Sequence, residues 1–284
     1  MNKFLILITL AALSLSAVAT EKVIYGDDNR VDVYASTNSD FVELAKSTAA
    51  MISKSKMTLK NGIYNLKAGK LGDRLNACAG ERFAEQPSAA NCSGFLVGDK
   101  YLVTAGHCIE DMSDCNSNYW VFNYKMKNDT QAHMNFKKEN VYSCKKIISR
   151  ALSRSNKNDY ALIELQRVAT NIAPLTFRKS GKIQKKDQLV VIGHPSGLPT
   201  KIADGAFVKS LSGKYFSANL DTYGGNSGSA VFNVATGDVE GILVRGAQDY
   251  VNRGGCRVSN RIGNNEGKGE DVTFITNIAE LKNL

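Results

Sequence analysis

Three side chains could share one chemical step. His107 stands in VTAGHCIED (103–111), Asp159 in NKNDYALIEL (156–165) and Ser227 in TYGGNSGSA (222–230). An imidazole is a base near neutral pH, and a carboxylate can hold it in one tautomer. A serine hydroxyl becomes a nucleophile only when such a base takes its proton. It also needs backbone N–H groups converging on the oxygen that gains charge. Gly225, two residues before Ser227, would let the chain turn so that its N–H points inward with that of Ser227. Each residue has a plainer reading. A lone histidine is more often structural, an acid at a strand start is more often a turn residue, and a glycine-rich stretch is more often a loop. Two other chemistries fail on spacing. The chain has no G-x-x-x-x-G-K-[ST] phosphate loop. A G-x-S-x-G elbow would need glycine at 229, where Ser229 stands.

The elements that must position these residues are short strands. SGFLVG, KYLVTAG, YWVFNY, VYSCKKIIS and DYALIEL are apolar or alternating runs separated by turn residues, and QLVVIGH, GAFVKSL, YFSANLD, GSAVFN and VEGILVRG repeat the rhythm. Strands of about five residues spaced 8–12 apart predict an antiparallel sandwich or barrel. His107 follows one such run, and Cys108 follows it directly. Cys92 lies upstream across an apparent hairpin, so a Cys92–Cys108 bridge would pin both strands and fix the histidine. Closing a loop of about 15 residues is worth about 3 kcal/mol in the entropic account. Asp159 opens an alternating strand with Ala161, Ile163 and Leu165 on one face. FVELAKSTAAMISKSKM (41–57) reads equally as helix or strand, residues 54–77 as a loop or cleavable connection, and VTFITNIAELKNL as a helical tail.

The chain begins with Lys3, an apolar run from Phe4 to Val18 and the small-x-small pattern Ala17-Val18-Ala19. This predicts a signal peptide over 1–19 and an exported chain from about Thr20, with no membrane span. Six cysteines, Cys78, Cys92, Cys108, Cys115, Cys144 and Cys256, all follow that leader, and an even count in an oxidising compartment predicts three disulfides. With Cys92–Cys108 set aside, three pairings remain. Shared placement in the first half favours Cys115–Cys144, which leaves Cys78 for Cys256. No C-x-x-C occurs, so no metal is expected. The formal charge is +9, or +8 without Lys3. The lysines are scattered in pairs such as Lys145-Lys146, so a solvated basic surface is expected and not a nucleic-acid tail.

The order His107, Asp159, Ser227, carried by TAGHC, NDYALIEL and GGNSGS, resembles the trypsin-like (chymotrypsin-fold) serine peptidases over about residues 92–246. CSGFLVG, GHPSGLP and GGNSGSAVFN resemble its bacterial secreted branch, which includes glutamyl endopeptidases, and VIYGDDNR (23–30) is similar to the opening segment of that branch. The resemblance implies an all-β fold of two six-stranded antiparallel β-barrels with a short C-terminal helix. Residues 20–77 would be an N-terminal arm or a propeptide, and 78–284 the peptidase domain, with barrel one ending near 170. His107 would be the general base, Asp159 its orienting acid, Ser227 the nucleophile, and the N–H groups of Gly225 and Ser227 the oxyanion hole. Asp187 and Asp204 rank below Asp159 as the acid. The implied protein is a secreted, monomeric endopeptidase acting on polypeptides, without cofactor, metal or nucleic acid. The contrasting reading is a catalytically silent binding protein on the same fold.

Departures from the family pattern matter. Asn226 stands where animal enzymes have an aspartate that pairs with a freed N-terminus, so that activation switch is not expected. Val244 stands where relatives have a serine touching the triad acid. Substrate binding is expected from Asp221, Thr222, Val244, Arg245 and Gly246. Asp221, six residues before Ser227, would favour cleavage after Arg or Lys if it faces a pocket, and would not if it joins a hydrogen-bond network. Thr222 and Arg245 would instead suit an acidic side chain. His194 reads as a turn histidine before Pro195 on the second barrel.

Overall fold

The structure, a computed structural model, describes residues 23–284, so the signal-peptide segment 1–19 lies outside the described residues. The alternating runs form two closed antiparallel barrels. Barrel one takes Thr48–Ser53, Cys92–Gly98, Tyr101–Thr104, Asn118–Phe122, Val141–Leu152 and Asp159–Leu165. It closes where Thr48–Ser53 pairs with both Cys92–Gly98 and Asn118–Phe122. Barrel two takes Gln188–Gly193, Lys201–Leu211, Tyr215–Ala218, Ala230–Asn233, Val239–Arg245 and Glu270–Phe274. Its closure is Gln188–Gly193, which pairs with Lys201–Leu211 on one side and Ala230–Asn233 on the other. Closure leaves neither barrel a free edge strand, and the inward side chains fill the interior. Phe95, Leu102, Trp120 and Ile163 are fully buried in the first, and Leu189, Phe216, Leu243 and Val272 in the second.

Several segments differ from their sequence reading. The ambiguous 41–57 run is both things in succession: helix Ser39–Ala45, capped by Asn38 accepting from Asp40 N and Phe41 N, then the barrel strand Thr48–Ser53. Residues 54–77 are not a bare loop. Met57–Lys60 and Ile63–Leu66 form a hairpin there, extended by Asn135–Lys137. The C-terminal run opens as the strand Glu270–Phe274, and its helical part is two 3-10 turns, Ile275–Asn277 and Ala279–Asn283.

The arm before the first barrel strand crosses to barrel two. Arg30–Asp32 pairs antiparallel with Lys201–Ala203. Lys201 is buried beside it, donating to Asp32 Oδ1 at 2.5 Å, Gln86 Oε1 at 2.7 Å and Pro199 O at 3.1 Å. Burial pushes this ammonium down to about 8, against the pull of Asp32. Disulfides join Cys92–Cys108, Cys115–Cys144 and Cys78–Cys256, the last tying the 71–90 segment to the hairpin Tyr250–Arg253/Cys256–Ser259 that projects between the last two strands of barrel two.

His194 follows the strand Gln188–Gly193 and is fully buried, its ring stacked on Tyr124 at 5.7 Å. Its Nδ1 lies 3.0 Å from Leu198 O; a carbonyl only accepts, so Nδ1 carries the proton. Burial pushes the imidazole down to about 4. The unfolded chain therefore binds a proton that the folded chain refuses between pH 6.5 and 4. The associated stability is complete above 6.5 and lost as pH falls through 4, on the order of 3 kcal/mol. His194→Phe keeps a ring on Tyr124 and removes the proton. Urea unfolding from pH 7 to 4 should lose stability less steeply in the variant, by about one proton; equal slopes would contradict this.

Candidate active site

His107 sits in the turn that follows the strand Tyr101–Thr104, and Asp159 is the first residue of its antiparallel neighbour Asp159–Leu165. The register Ala161 opposite Thr104 brings the turn over the strand start. The Asp159 carboxylate is buried and fully engaged there. Oδ1 accepts Gly106 N at 2.7 Å and His107 N at 3.2 Å, while Oδ2 accepts His107 Nδ1 at 2.8 Å. Nδ1 therefore holds the proton, and Nε2 keeps the lone pair a general base needs. Hydrogen bonds to a charged acceptor are worth about 1.5–3 kcal/mol each, so the imidazole is held in one orientation. Arg245 Nη1 also reaches Asp159 Oδ2, at 3.4 Å, from barrel two.

Ser227 lies in the turn before the strand Ala230–Asn233, and its backbone is fixed to barrel one. Ser227 O accepts Ser93 N at 2.8 Å. Gly228, at φ +88°, lies so close to the same strand ends that a Cβ there would be 2.1 Å from Ser93 O and 2.3 Å from Thr104 Oγ1. The serine turn thus rests on the strand that leads, three residues later, to His107. Gly225, at φ +96°, lies against His194 O, which a Cβ would approach to 2.5 Å. Asn226 is buried and accepts Ser229 Oγ at 3.1 Å, closing the turn from within.

The expected substrate-binding residues separate into two groups. Asp221 does not face a pocket: its Oδ1 accepts Tyr25 N at 2.7 Å and its Oδ2 accepts Asn29 N at 2.8 Å, both from the arm. Burial pushes this carboxyl up to about 6 despite those donors. Val244 points into the hydrophobic core. Arg245 is held by Asp159, by Asp271 Oδ2 at 3.3 Å and by Lys157 O at 2.8 Å. Thr222 and Gly246 do meet, at Glu270, a residue to which the sequence reading gave no role. Thr222 Oγ1 donates to Glu270 Oε2 at 2.9 Å, and a Cβ on Gly246 would lie 1.7 Å from the same oxygen. Glu270 lies two residues before the run read as a helical tail, in a stretch given no element, so its pairing with Ala218 was not foreseen.

Cys92, His107 and Cys108 have side-chain atoms within 4.8 Å of one another. Both sulfurs are in the disulfide, so the cluster offers a metal one imidazole and no thiolate. Beside Gly224 opens a cleft of about 790 Å³, lined in part by Arg74, Ser196, Asp249, Tyr250 and Arg257.

Residues 92–242 match the trypsin-like peptidase domain. The chain belongs to that family. Membership places it among the serine endopeptidases. This trypsin-like peptidase is 27% identical over 184 residues to a probable periplasmic serine endoprotease DegP-like of Chlamydia muridarum, a match covering 60% of this chain and 32% of the relative. The chain thus spans about a third of that relative's length. Two solved structures share the fold at a TM-score of 0.53. The Vibrio cholerae VesB protease is 16% identical, with 89% of this chain and 65% of that one covered, and a Glu endopeptidase is 14% identical, with 92% and 98% covered.

The Gly228 contacts generate a direct test. Gly228→Ala adds a methyl into two backbone-anchored oxygens at a positive φ, which should cost several kcal/mol and displace the serine turn. Thermal unfolding should show a lower midpoint, with peptide hydrolysis lost in the folded fraction. A variant with wild-type stability and turnover would contradict it.

Proposed function

We propose that this trypsin-like peptidase is a secreted endopeptidase that cuts polypeptides through an acyl-enzyme on Ser227. The observation that carries the proposal is the 2.8 Å contact between His107 Nδ1 and the buried Asp159 carboxylate, on strands to which the Ser227 turn is bonded. In this reading Ser227 Oγ attacks the scissile carbonyl carbon while His107 Nε2 takes the hydroxyl proton. The new C–O bond pushes charge onto the carbonyl oxygen, which the N–H groups of Gly225 and Ser227 receive. The C–N bond then breaks and His107 returns the proton to the leaving amine. Water repeats the sequence, His107 taking its proton and Ser227 leaving as the hydroxyl. Asp159 remains ionised throughout and steadies the imidazolium.

Arg245 takes part as a positioning residue. Its guanidinium reaches Asp159 Oδ2, a support that the family resemblance would assign to a serine at the position of Val244. The cleft beside Gly224, one residue from Gly225, offers polar side chains such as Arg74, Ser196 and Tyr250 to a polypeptide.

Of the two readings of the segment before residue 78, we favour the arm: Thr48–Ser53 closing barrel one and Arg30–Asp32 extending barrel two support its being retained in the working enzyme. Three disulfides support an oxidising compartment, and the curated relative is described as periplasmic. A monomer acting on polypeptide is the expected working form.

A fluorophosphonate probe should label the folded wild-type protein at Ser227 and label Ser227→Ala not at all. Turnover of a peptide mixture should fall on the order of 10⁶-fold in Ser227→Ala and about 10⁴-fold in Asp159→Asn. A folded wild-type protein that resists the probe while a control peptidase is labelled would favour the silent binding protein.

A further inference from the structure

The peptide between Gly224 and Gly225 carries one of the two N–H groups that the proposed oxyanion needs. Neither glycine has a side chain to orient that peptide, so neighbours must do it. Gly224 O accepts Ser196 N at 2.5 Å, and Gly224 N donates to Asp249 Oδ2 at 2.8 Å. No peptide bond among the described residues is cis. In a trans peptide the C=O and the N–H that follows it point in opposite directions. Holding Gly224 O against Ser196 therefore aims the Gly225 N–H away from Ser196. A half-turn of the same peptide would present a carbonyl oxygen to the developing charge instead of a donor.

Ser196 stands between Pro195 and Gly197, in the turn that follows His194. It is buried, and its φ of +52° lies in the left-handed region that a side chain disfavours. A residue held there persists only where its surroundings determine it. Every polar group of Ser196 is engaged, by residues from four separate segments. Its N–H goes to Gly224 O. Its carbonyl accepts Arg74 Nη2 at 2.6 Å and Ser88 Oγ at 2.7 Å. Its hydroxyl shares a hydrogen bond of 2.6 Å with Tyr250 Oη. The Tyr250 ring packs against that of Tyr223, with centroids 4.7 Å apart. Two adjacent residues thus hold both polar groups of Gly224: Asp249 directly, and Tyr250 through Ser196. Arg74, Ser196, Gly224, Asp249 and Tyr250 all line the 790 Å³ cleft, so one peptide separates that cleft from the proposed oxyanion hole.

We infer that Ser196 is a positioning residue for the oxyanion hole, and that Tyr250 keeps it in place through the shared hydrogen bond of their hydroxyls. This rests on the reading of Ser227 as nucleophile. Ser196 acts through another group: its amide holds the Gly224 carbonyl, and the trans peptide aims the Gly225 amide. A donor fixed beforehand is worth most, because nothing has to reorient as charge develops. Without the hydroxyl contact, Ser196 loses a restraint on a backbone conformation that its side chain disfavours. The turn relaxes, and the Gly224–Gly225 peptide relaxes with it. A substrate carbonyl carries little charge before attack, so the loss falls on the transition state and not on substrate binding.

The test uses the full chain with Tyr250→Phe, Ser196→Gly and the double variant. Tyr250→Phe keeps a ring on Tyr223, and Ser196→Gly keeps the amide at a φ that glycine adopts freely. Each removes one side of the hydroxyl pair. On one peptide substrate, kcat should fall about tenfold with KM unchanged, short of the roughly 10²–10³-fold that outright loss of a donor brings. A peptide aldehyde, whose carbonyl oxygen becomes the oxyanion when Ser227 Oγ adds to its carbon, should bind more weakly by the same factor. Both side chains act through one contact, so the double variant should lose no more than the more impaired single variant. Folded variants with unchanged kcat, a loss in KM alone, or losses that add in the double variant overturn the inference and leave the nucleophile reading intact. Thermal unfolding reports which variants fold. If neither single variant folds, amide hydrogen exchange of the wild-type protein decides: the Ser196 N–H should be strongly protected, and rapid exchange overturns the inference. A wild-type protein that a fluorophosphonate does not label overturns the nucleophile reading, and this inference with it.

Discussion

The Asp159 carboxylate is the contact on which the site depends. It is buried, yet it is surrounded by donors from three directions: the Gly106–His107 backbone, the His107 ring and the Arg245 guanidinium. A carboxylate in that position without partners would cost several kcal/mol. With them it fixes a turn, a ring and a seam together. The seam matters because Arg245 belongs to barrel two and Asp159 to barrel one. Val244, where the family resemblance would put a serine, lies in the core. The next residue supplies a charged donor to Asp159 Oδ2.

A second layer of constraint lies behind the serine turn. The arm residues Tyr25 and Asn29 donate to Asp221, and Arg30 is fully buried against the Tyr223 ring at 4.2 Å. Arg30 is itself paired with Asp28 through two contacts of 2.8 and 2.7 Å, and Arg82 donates to Asp28 O and Arg30 O. Breaking a buried pair of this kind costs about 3–5 kcal/mol. These contacts brace the chain from Asp221 to Tyr223, immediately before the glycines. In animal enzymes an aspartate preceding the serine is captured by a freed N-terminus. Here Asn226 is satisfied inside its own turn, and the bracing is done by side chains and amides of the arm.

Five of the six strands of each barrel were legible in the sequence, because they carry short apolar or alternating runs bounded by turn residues. The disulfide hairpin from Cys92 to Cys108 was legible for the same reason. What stayed hidden was decided by partners far along the chain. VTFITNIAELKNL has β-branched residues at its start, but without the neighbouring strands Tyr215–Ala218 and Val239–Arg245 nothing separates strand from helix there. The hairpin of residues 57–66 did carry a local signal: Asn61-Gly62, both at positive φ, is the pairing a tight two-residue turn demands. Lysine-rich flanks obscured it. The contact between His107 and Asp159 was readable because both motifs are local and ordered. The partners of Asp221 were not, because the arm and the chain before the serine turn meet only after barrel two closes.

Asp221 shows why spacing alone could not give a buried carboxylate its partners. Position relative to Ser227 fixes where a backbone runs, not which donors its side chain finds. Asp221 has two amides of the arm within 2.8 Å, and a carboxylate offered two N–H groups in a buried site will take them. Glu270 instead accepts Thr222 Oγ1, in the room that the missing side chain of Gly246 leaves. It stands on the adjoining strand with its backbone already paired. The arm thus decides what Asp221 can do: held by two arm amides, this carboxylate ties the arm to the chain that leads into the serine turn.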